Sequence, residues 1–151
     1  MKAIIFILSI LFSSTFVLGQ AYNMAIGIKG GYPGYGSINA KRFLNANNAL
    51  EANLGSGRYG FWIQGLYEWQ HNLPTPGMQW YVGVGPNIGL QSSALSNGST
   101  FYLSGSGLLG IEYTFENIPL NIALDLGPVI QLAPVFGFGW GGGAAARYVF
   151  K

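Results

Sequence analysis

The chain has 151 residues and a formal net charge of +2, and only 8% of its residues are charged. Soluble domains carry roughly a quarter charged residues, so this composition argues against a soluble monomer. The small, scattered charge argues against a nucleic-acid surface, and the lack of cysteine excludes disulfides, zinc–thiolate sites and thiol catalysis.

The first 19 residues have the layout of a secretory signal peptide. Lys2 precedes an apolar run from Ala3 to Phe12, and Val17 and Gly19 place small residues before the expected cleavage point. The apolar run is shorter than the ~20 residues of a membrane-spanning helix. We therefore expect cleavage after Gly19 rather than an uncleaved anchor, which leaves residues 20–151 as one β-barrel domain.

The rest of the chain alternates apolar with small or polar residues at a period of two, which is typical of β-strands. The clearest case is the hairpin from Leu108 to Leu126, whose two strands are joined by a short break containing Pro119. Gly, Pro, Asn and Ser clusters separate the other strands. The predicted strands cover residues 22–31, 37–44, 49–55, 59–70, 78–90, 100–115, 120–130 and 136–150.

Two prolines fall inside predicted strands. Pro86 and Pro128 each remove a backbone donor from the sheet, which predicts a bulge or an earlier strand end at those positions. The even number of strands, each near the length of a tilted membrane strand, predicts an all-β, eight-stranded antiparallel up-and-down transmembrane β-barrel. Both termini of the barrel would then lie on the periplasmic side.

The charged residues sort by face. Those in the middle of strands all fall on the small or polar face, and the others fall in the N-terminal segment, at turns or at strand ends. Because a lipid-facing charge costs roughly 2–4 kcal/mol at the bilayer midplane, we expect this face to point inward. The expected lumen charge network consists of Lys29, Lys41, Glu51, Glu68, Glu112, Asp125 and Arg147.

Eight strands enclose an interior only wide enough for side chains, so we expect a filled lumen and no open pore. Lys41 and Glu51 lie on one face of adjacent strands and are predicted to pair, so exchanging them should be better tolerated than neutralising either. Arg147 is predicted to pair with Asp125 or Glu112. The network would fix strand register, and a proton or ion path is the alternative.

Aromatic residues gather at the strand ends on the side of the two termini, as expected of a membrane interface. These membrane-interface aromatics are Trp69, Trp80, Tyr113, Phe115, Tyr148 and Phe150.

The segments IKGGY, KRFLNANNALEANL, LYEW followed by PTPGMQWYVGVGPNIG, GIEYTFENIPLNIALDLGP and the closing RYVF resemble the small outer-membrane β-barrel proteins of Bacteroidetes-type bacteria. Such proteins are similar in architecture to outer membrane protein X and to the barrel of outer membrane protein A. The closing Arg147–Phe150 segment resembles the aromatic-ended signal read by the barrel-assembly machinery, although Lys151 follows it. The family brings no catalytic residues to carry over.

These observations predict a non-enzymatic, structural barrel of the Gram-negative cell outer membrane. Its expected partners are outer-membrane lipid, lipopolysaccharide and, during biogenesis, the assembly machinery. We expect a monomer without nucleic acid or cofactor, and the single histidine, His71, argues against a histidine metal site.

Two alternatives stay open. A lipid-modifying enzyme of the outer membrane, acting by acyl transfer or deacylation, would need His71 beside a serine, or a carboxylate pair such as Glu68 and Glu112. A secreted lipocalin-like barrel would turn its apolar face inward around a ligand.

Overall fold

The computed structural model describes residues 22–32, 34–57, 60–92 and 99–150. They form one closed barrel in which each strand pairs antiparallel with its neighbours in chain order and β1 pairs with β8. The expected signal peptide at residues 1–19 lies outside the described residues. The strands are β1 (Met24–Gly31), β2 (Gly34–Asn45), β3 (Asn48–Gly57), β4 (Gly60–Asn72), β5 (Met78–Ser92), β6 (Ser99–Thr114), β7 (Leu120–Ala133) and β8 (Gly137–Phe150).

The predicted number, order and antiparallel pairing of the strands are confirmed. Several strands run further than the sequence predicts, because glycines and serines that resemble turn residues pair at the barrel rim. Gly31 pairs with Gly34 and Gly57 with Gly60, so the predicted turns over residues 32–36 and 55–58 are shorter. Pro33, Arg58 and residues 93–98 of the predicted loops lie outside the described residues.

The two ends of the barrel differ in what they contain. At the end that we call the near end, β1 begins, β8 ends, and turns connect β2 to β3, β4 to β5 and β6 to β7. The far end holds the other connections. No helix among the described residues has the length and hydropathy needed to cross a membrane.

Alternation along each strand separates an apolar outside from a polar inside. On β7, Ile122, Leu124 and Leu126 are exposed, whereas Asn121 and Ala123 between them are buried. The same alternation holds on β4, where Gln64, Glu68 and Gln70 are among the buried residues. Large apolar side chains are exposed on the outward faces of the strands, where Ile28 is 68% and Phe138 67% accessible.

The strands continue through both prolines, so the expected bulge or early strand end at these positions is wrong. The β4–β5 register is the same on the two sides of Pro86, and a Cβ on the preceding Gly85 would lie 1.8 Å from the Gly65 carbonyl oxygen. The neighbouring backbone thus occupies the space that Gly85 leaves. The second site repeats this arrangement with Gly127, Pro128 and the Gly107 carbonyl oxygen.

Glycines also allow the barrel to close. The pairing between β1 and β8 runs from Met24 with Phe150 to Gly31 with Gly143. A Cβ on Gly27 would lie 1.9 Å from the Ala146 carbonyl oxygen, and Gly31 has a φ of +131°, which L side chains rarely adopt. Small residues are therefore required where the first and last strands meet.

Gly85 on β5 and Gly65 on β4 give a matched test of this packing. We expect Gly85→Ala to destabilise the barrel by about 1–3 kcal/mol, because the added methyl group overlaps the Gly65 carbonyl. Gly65→Ala should leave stability within about 0.5 kcal/mol of the original, since its Cβ meets nothing within 4 Å. Urea unfolding followed by tryptophan fluorescence measures both, and equal losses would contradict the packing described.

Candidate functional site

The barrel lumen holds three cations and four carboxylates, each with a side chain no more than 5% exposed. We call this group the lumen ion cluster. The alternation of the strands turns all of them inward, and every one contacts an opposite charge. Its members are Lys29, Lys41, Glu51, Glu68, Glu112, Asp125 and Arg147.

Arg147 on β8 reaches the walls on both sides of its own strand. Its Nη2 lies 2.6 Å from Glu51 Oε2 on β3, and its Nη1 lies 3.5 Å from Glu112 Oε2 on β6. Its Nη1 also donates to Asn121 Oδ1 at 2.9 Å, and its Nε donates to Asn39. The N–H groups of the planar guanidinium thus contact side chains on several strands, and these contacts fix its position.

Lys41 connects opposite walls of the barrel. Its Nζ lies 2.6 Å from Glu112 Oε2 on β6 and 2.7 Å from Glu68 Oε2 on β4. The ammonium also lies 4.5 Å from the centre of the Tyr81 ring. Because β2 and β6 are four strands apart in a closed ring of eight, the contact between Lys41 and Glu112 spans the lumen.

Lys29 on β1 connects the cluster to Glu51 on β3 and to Asp125 on β7. Its Nζ lies 2.9 Å from Glu51 Oε1 and 2.6 Å from Asp125 Oδ2. The Tyr81 hydroxyl and the Gly143 backbone N–H also donate to the Asp125 carboxylate, at 2.9 and 3.1 Å. Such hydrogen bonds offset part of the cost of removing these charges from water.

Neutral polar groups surround the charges and join them. Asn39 donates to Asn53 at 2.6 Å, and Asn53 donates to Glu51 at 2.9 Å and to Gln64 at 3.2 Å. Gln70 donates to Glu68 at 2.7 Å. The alternation predicts that these amide side chains point inward, because they lie on the same strand faces as the charged residues.

Tyr22 is a member of the network that the alternation does not predict, because in the predicted strand over residues 22–31 it shares the outward face of Met24. The observed β1 begins at Met24, and Tyr22 before it is buried. Its hydroxyl donates to Glu112 Oε1 at 3.2 Å. Burial, followed by the nearby Glu112 carboxylate, raises the pKa of Tyr22 well above its ordinary value. The phenol therefore stays protonated and remains a hydrogen-bond donor.

The predicted ion pair between Lys41 and Glu51 is wrong, although the two residues are direct partners in the β2–β3 register. Each long side chain extends into the lumen and contacts a charge on another strand. The prediction that Arg147 pairs with Asp125 or Glu112 is confirmed by its contact with Glu112, although its shorter ion pair is with Glu51.

The residues considered for catalysis do not form a site accessible to substrate. Glu68 and Glu112 are brought together by Lys41, but they are 0% and 1% exposed. His71 lies at the near end and stacks on Trp80 with ring centres 4.4 Å apart. The chain has a group of serines between residues 92 and 106, of which Ser93 and Ser96 lie outside the described residues. Ser92 and Ser99 lie in the strands at the far end. Ser104 and Ser106 are buried in the lumen, where their hydroxyls accept hydrogen bonds from Asn87 and Gln64.

No group of three His, Cys, Asp or Glu side chains suited to a metal occurs in the part of the chain that the structure describes. This arrangement of charges can hold strands in register, but its buried carboxylates offer no opening for a substrate.

The near end also carries the aromatic residues named from the sequence. They lie on the outer surface, where Trp69 is 43% and Tyr148 55% accessible. Tyr113 packs edge-on against Phe115 with ring centres 4.8 Å apart, and Tyr148 packs in the same way against Phe150. The other members, Trp69 and Trp80, contact Tyr67 and His71.

Comparison of the chain with models of known protein families, with curated proteins and with solved structures finds no match.

Exchanging Lys41 and Glu51 tests the observed pairing. The exchange places a lysine beside Lys29 and Arg147 and a glutamate beside Glu68 and Glu112, so like charges meet at both positions. We expect a larger loss of unfolding free energy than Lys41→Met or Glu51→Gln causes alone, each of which should cost about 3–5 kcal/mol.

Urea titration measures all three variants, with Asn117→Ala in the exposed β6–β7 turn as the control. An exchanged variant more stable than both single variants would contradict the cluster described here.

Proposed function

We propose that this protein is an integral β-barrel of a Gram-negative outer membrane with a structural role in the cell envelope and a closed lumen. One observation carries the proposal. Within the described strands, every charged side chain except Arg42 points into the lumen, while the outward faces carry large apolar residues.

This distribution is favourable only where the surroundings are apolar. Exposed apolar patches on soluble monomers rarely exceed a few hundred Å², whereas here the apolar surface extends over all eight strands. A charge facing acyl chains would cost about 2–4 kcal/mol at the midplane, and the barrel avoids that cost by turning its charges inward. Lipid is therefore the environment that this surface fits.

Strand lengths and the near-end aromatics support the same environment. Most strands have 10 to 16 residues, and a tilted strand needs about 9–11 to cross the hydrocarbon layer. Outward Trp and Tyr residues at the near end have the amphipathic character of side chains at a membrane–water interface. The near end would face the periplasm.

The filled lumen favours a structural role over transport. Arg147 and Lys41 cross the interior at the level of the ion cluster, and the Lys41–Glu112 contact joins opposite walls. A lipocalin-like role would require an apolar interior around a ligand, but the interior here is charged. A lipid-modifying enzyme would require a nucleophile and a base together, whereas His71 and the candidate serines are apart.

The expected partners follow from this location. The outer surface would contact membrane lipid and lipopolysaccharide, and the closing Arg147–Phe150 segment would be read by the barrel-assembly machinery after a signal peptide directs export. We propose a monomeric, non-enzymatic barrel without a cofactor.

Membrane extraction tests the location. The protein should stay with the membrane pellet after washing with alkaline carbonate and with urea, because its apolar surface is held by lipid rather than by charge. In detergent, the folded barrel should migrate differently on gels before and after heating. Release into the wash would contradict the proposal, and a known peripheral membrane protein serves as the control.

Conductance across a planar bilayer tests the closed lumen. The reconstituted protein should show no stable channel steps, since the ion cluster fills the interior at its level. Reconstituted porin provides the positive control. Regular channel steps from the purified chain would favour the alternative of an ion path.

A further inference from the structure

The charges of the lumen ion cluster do not balance. Among the described residues the cluster contains three cations and four carboxylates, so it carries a formal charge of −1 if every member is ionised. An uncompensated charge in the interior is costly, and a buried carboxyl group can avoid that cost by holding a proton. The contacts of the four carboxyl groups indicate which of them holds it.

Three of the four carboxyl groups are well compensated. Glu51 and Glu112 each contact two cations, and Asp125 contacts one cation and accepts two further hydrogen bonds. Glu68 contacts a single cation, Lys41, and shares it with Glu112. Glu68 is therefore the least compensated member of the cluster, although its side chain is fully buried.

One carboxyl oxygen of Glu68 has no hydrogen-bond donor. Lys41 Nζ and Gln70 Nε2 both contact Oε2, each at 2.7 Å, whereas no donor among the described residues contacts the buried Oε1. The direct partners of Glu68 in the register are Ala49 and Gly83, which have no polar side-chain group. A charged oxygen in this position would bear the full cost of its desolvation.

Gln70 lies two residues further along β4 and points to the same side of the strand. Its Nε2 donates to Glu68 Oε2, and its own Oε1 is buried without a donor. A protonated carboxyl group has one O–H donor, and the oxygen of a primary amide is an acceptor. A proton on Glu68 Oε1 would therefore supply the donor that Gln70 Oε1 lacks, and the two groups would form a cyclic acid–amide pair with two hydrogen bonds.

Other buried amide oxygens do not offer this pairing. Gln79 and Asn87 each have one amide oxygen without a donor, but their amide nitrogens donate to Asn72 and Ser104 rather than to a carboxyl group. A small cation is the other ligand that donorless oxygens could bind. It would lie beside Lys41, whose ammonium already contacts the same carboxyl group, so the geometry favours a proton.

We propose that Glu68 is a proton-binding site of the folded barrel and that its O–H group donates to Gln70 Oε1. The proton is taken from water during folding, because an exposed glutamate of the unfolded chain is ionised at neutral pH. The cluster then contains three cations and three carboxylates. The other ionisable groups of this part of the lumen are Tyr22, Lys41, Glu51, Tyr81, Glu112 and Arg147. The inference goes beyond the proposed structural role and does not depend on the membrane location, since it concerns contacts inside the barrel.

Infrared spectroscopy of the barrel folded in detergent at neutral pH tests the site. A protonated carboxyl group has a C=O stretching band separate from those of carboxylates and backbone amides, and the unaltered protein should show one such band. Glu68→Gln should remove it. Gln70→Met should shift the band, because the O–H group loses its acceptor. Gln64→Met is the matched control, since Gln64 is another inward glutamine of β4 whose amide contacts Asn53 and Ser106, and it should leave the band in place.

Urea unfolding of the same proteins gives a second measurement. An amide at position 68 presents an N–H group where the O–H group is proposed and keeps both hydrogen bonds, so Glu68→Gln should leave the urea midpoint unchanged. Glu51→Gln should lower the midpoint, because it removes a carboxylate that contacts both Lys29 and Arg147.

A spectrum without a protonated carboxyl band, or a band that Glu68→Gln retains, would overturn the inference. Equal losses of the urea midpoint in Glu68→Gln and Glu51→Gln would overturn it too. If the band is absent and the midpoint of the unaltered protein, but not of Glu68→Gln, rises with sodium concentration, the donorless oxygens bind a cation instead. A band that Gln70→Met leaves in place would contradict the pairing with Gln70.

Discussion

The pairing of buried charges across the lumen is the interaction on which the rest of the barrel depends. A charge removed from water costs several kcal/mol unless a partner lies close. Lys41 Nζ lies 2.6 Å from Glu112 Oε2, and this contact joins β2 to the opposite wall at β6. An open sheet would hold these two strands apart, so the contact requires that β1 has paired with β8. Closure of the sheet and neutralisation of its interior therefore support each other.

The sequence predicts the strands and their faces because these depend only on local alternation. It does not predict which charges meet, since Lys41 and Glu51 are direct neighbours in register yet contact charges on other strands. Long side chains in a narrow ring can reach across as easily as sideways. Tyr22 joins the network from a position before β1, whereas alternation through the predicted strand would place it outward. Ion partners therefore require the three-dimensional register of the whole ring.

The prolines and Arg42 show two different limits of local reasoning. A proline at position 86 predicts a disturbed strand, but the register continues, and the Gly65 carbonyl occupies the space beside Gly85. This arrangement depends on Gly65 of the neighbouring strand and cannot be predicted from the residues next to the proline in sequence. The direction of Arg42, by contrast, can be predicted from its sequence neighbour Lys41. Two adjacent residues of a strand face opposite sides, so a lumenal Lys41 already requires an outward Arg42.

The same alternation links the polar lumen to the outer surface of β2 and β3. Ala40 lies between Asn39 and Lys41, and Ala52 lies between Glu51 and Asn53, so each small outward residue is flanked by inward members of the polar network. Asn39 and Asn53 are hydrogen-bonded to each other at 2.6 Å, and Glu51 contacts both Lys29 and Arg147. These contacts hold the backbone at Ala40 and Ala52 from the inside. The buried ions thus stabilise the barrel and also shape the outer surface behind them.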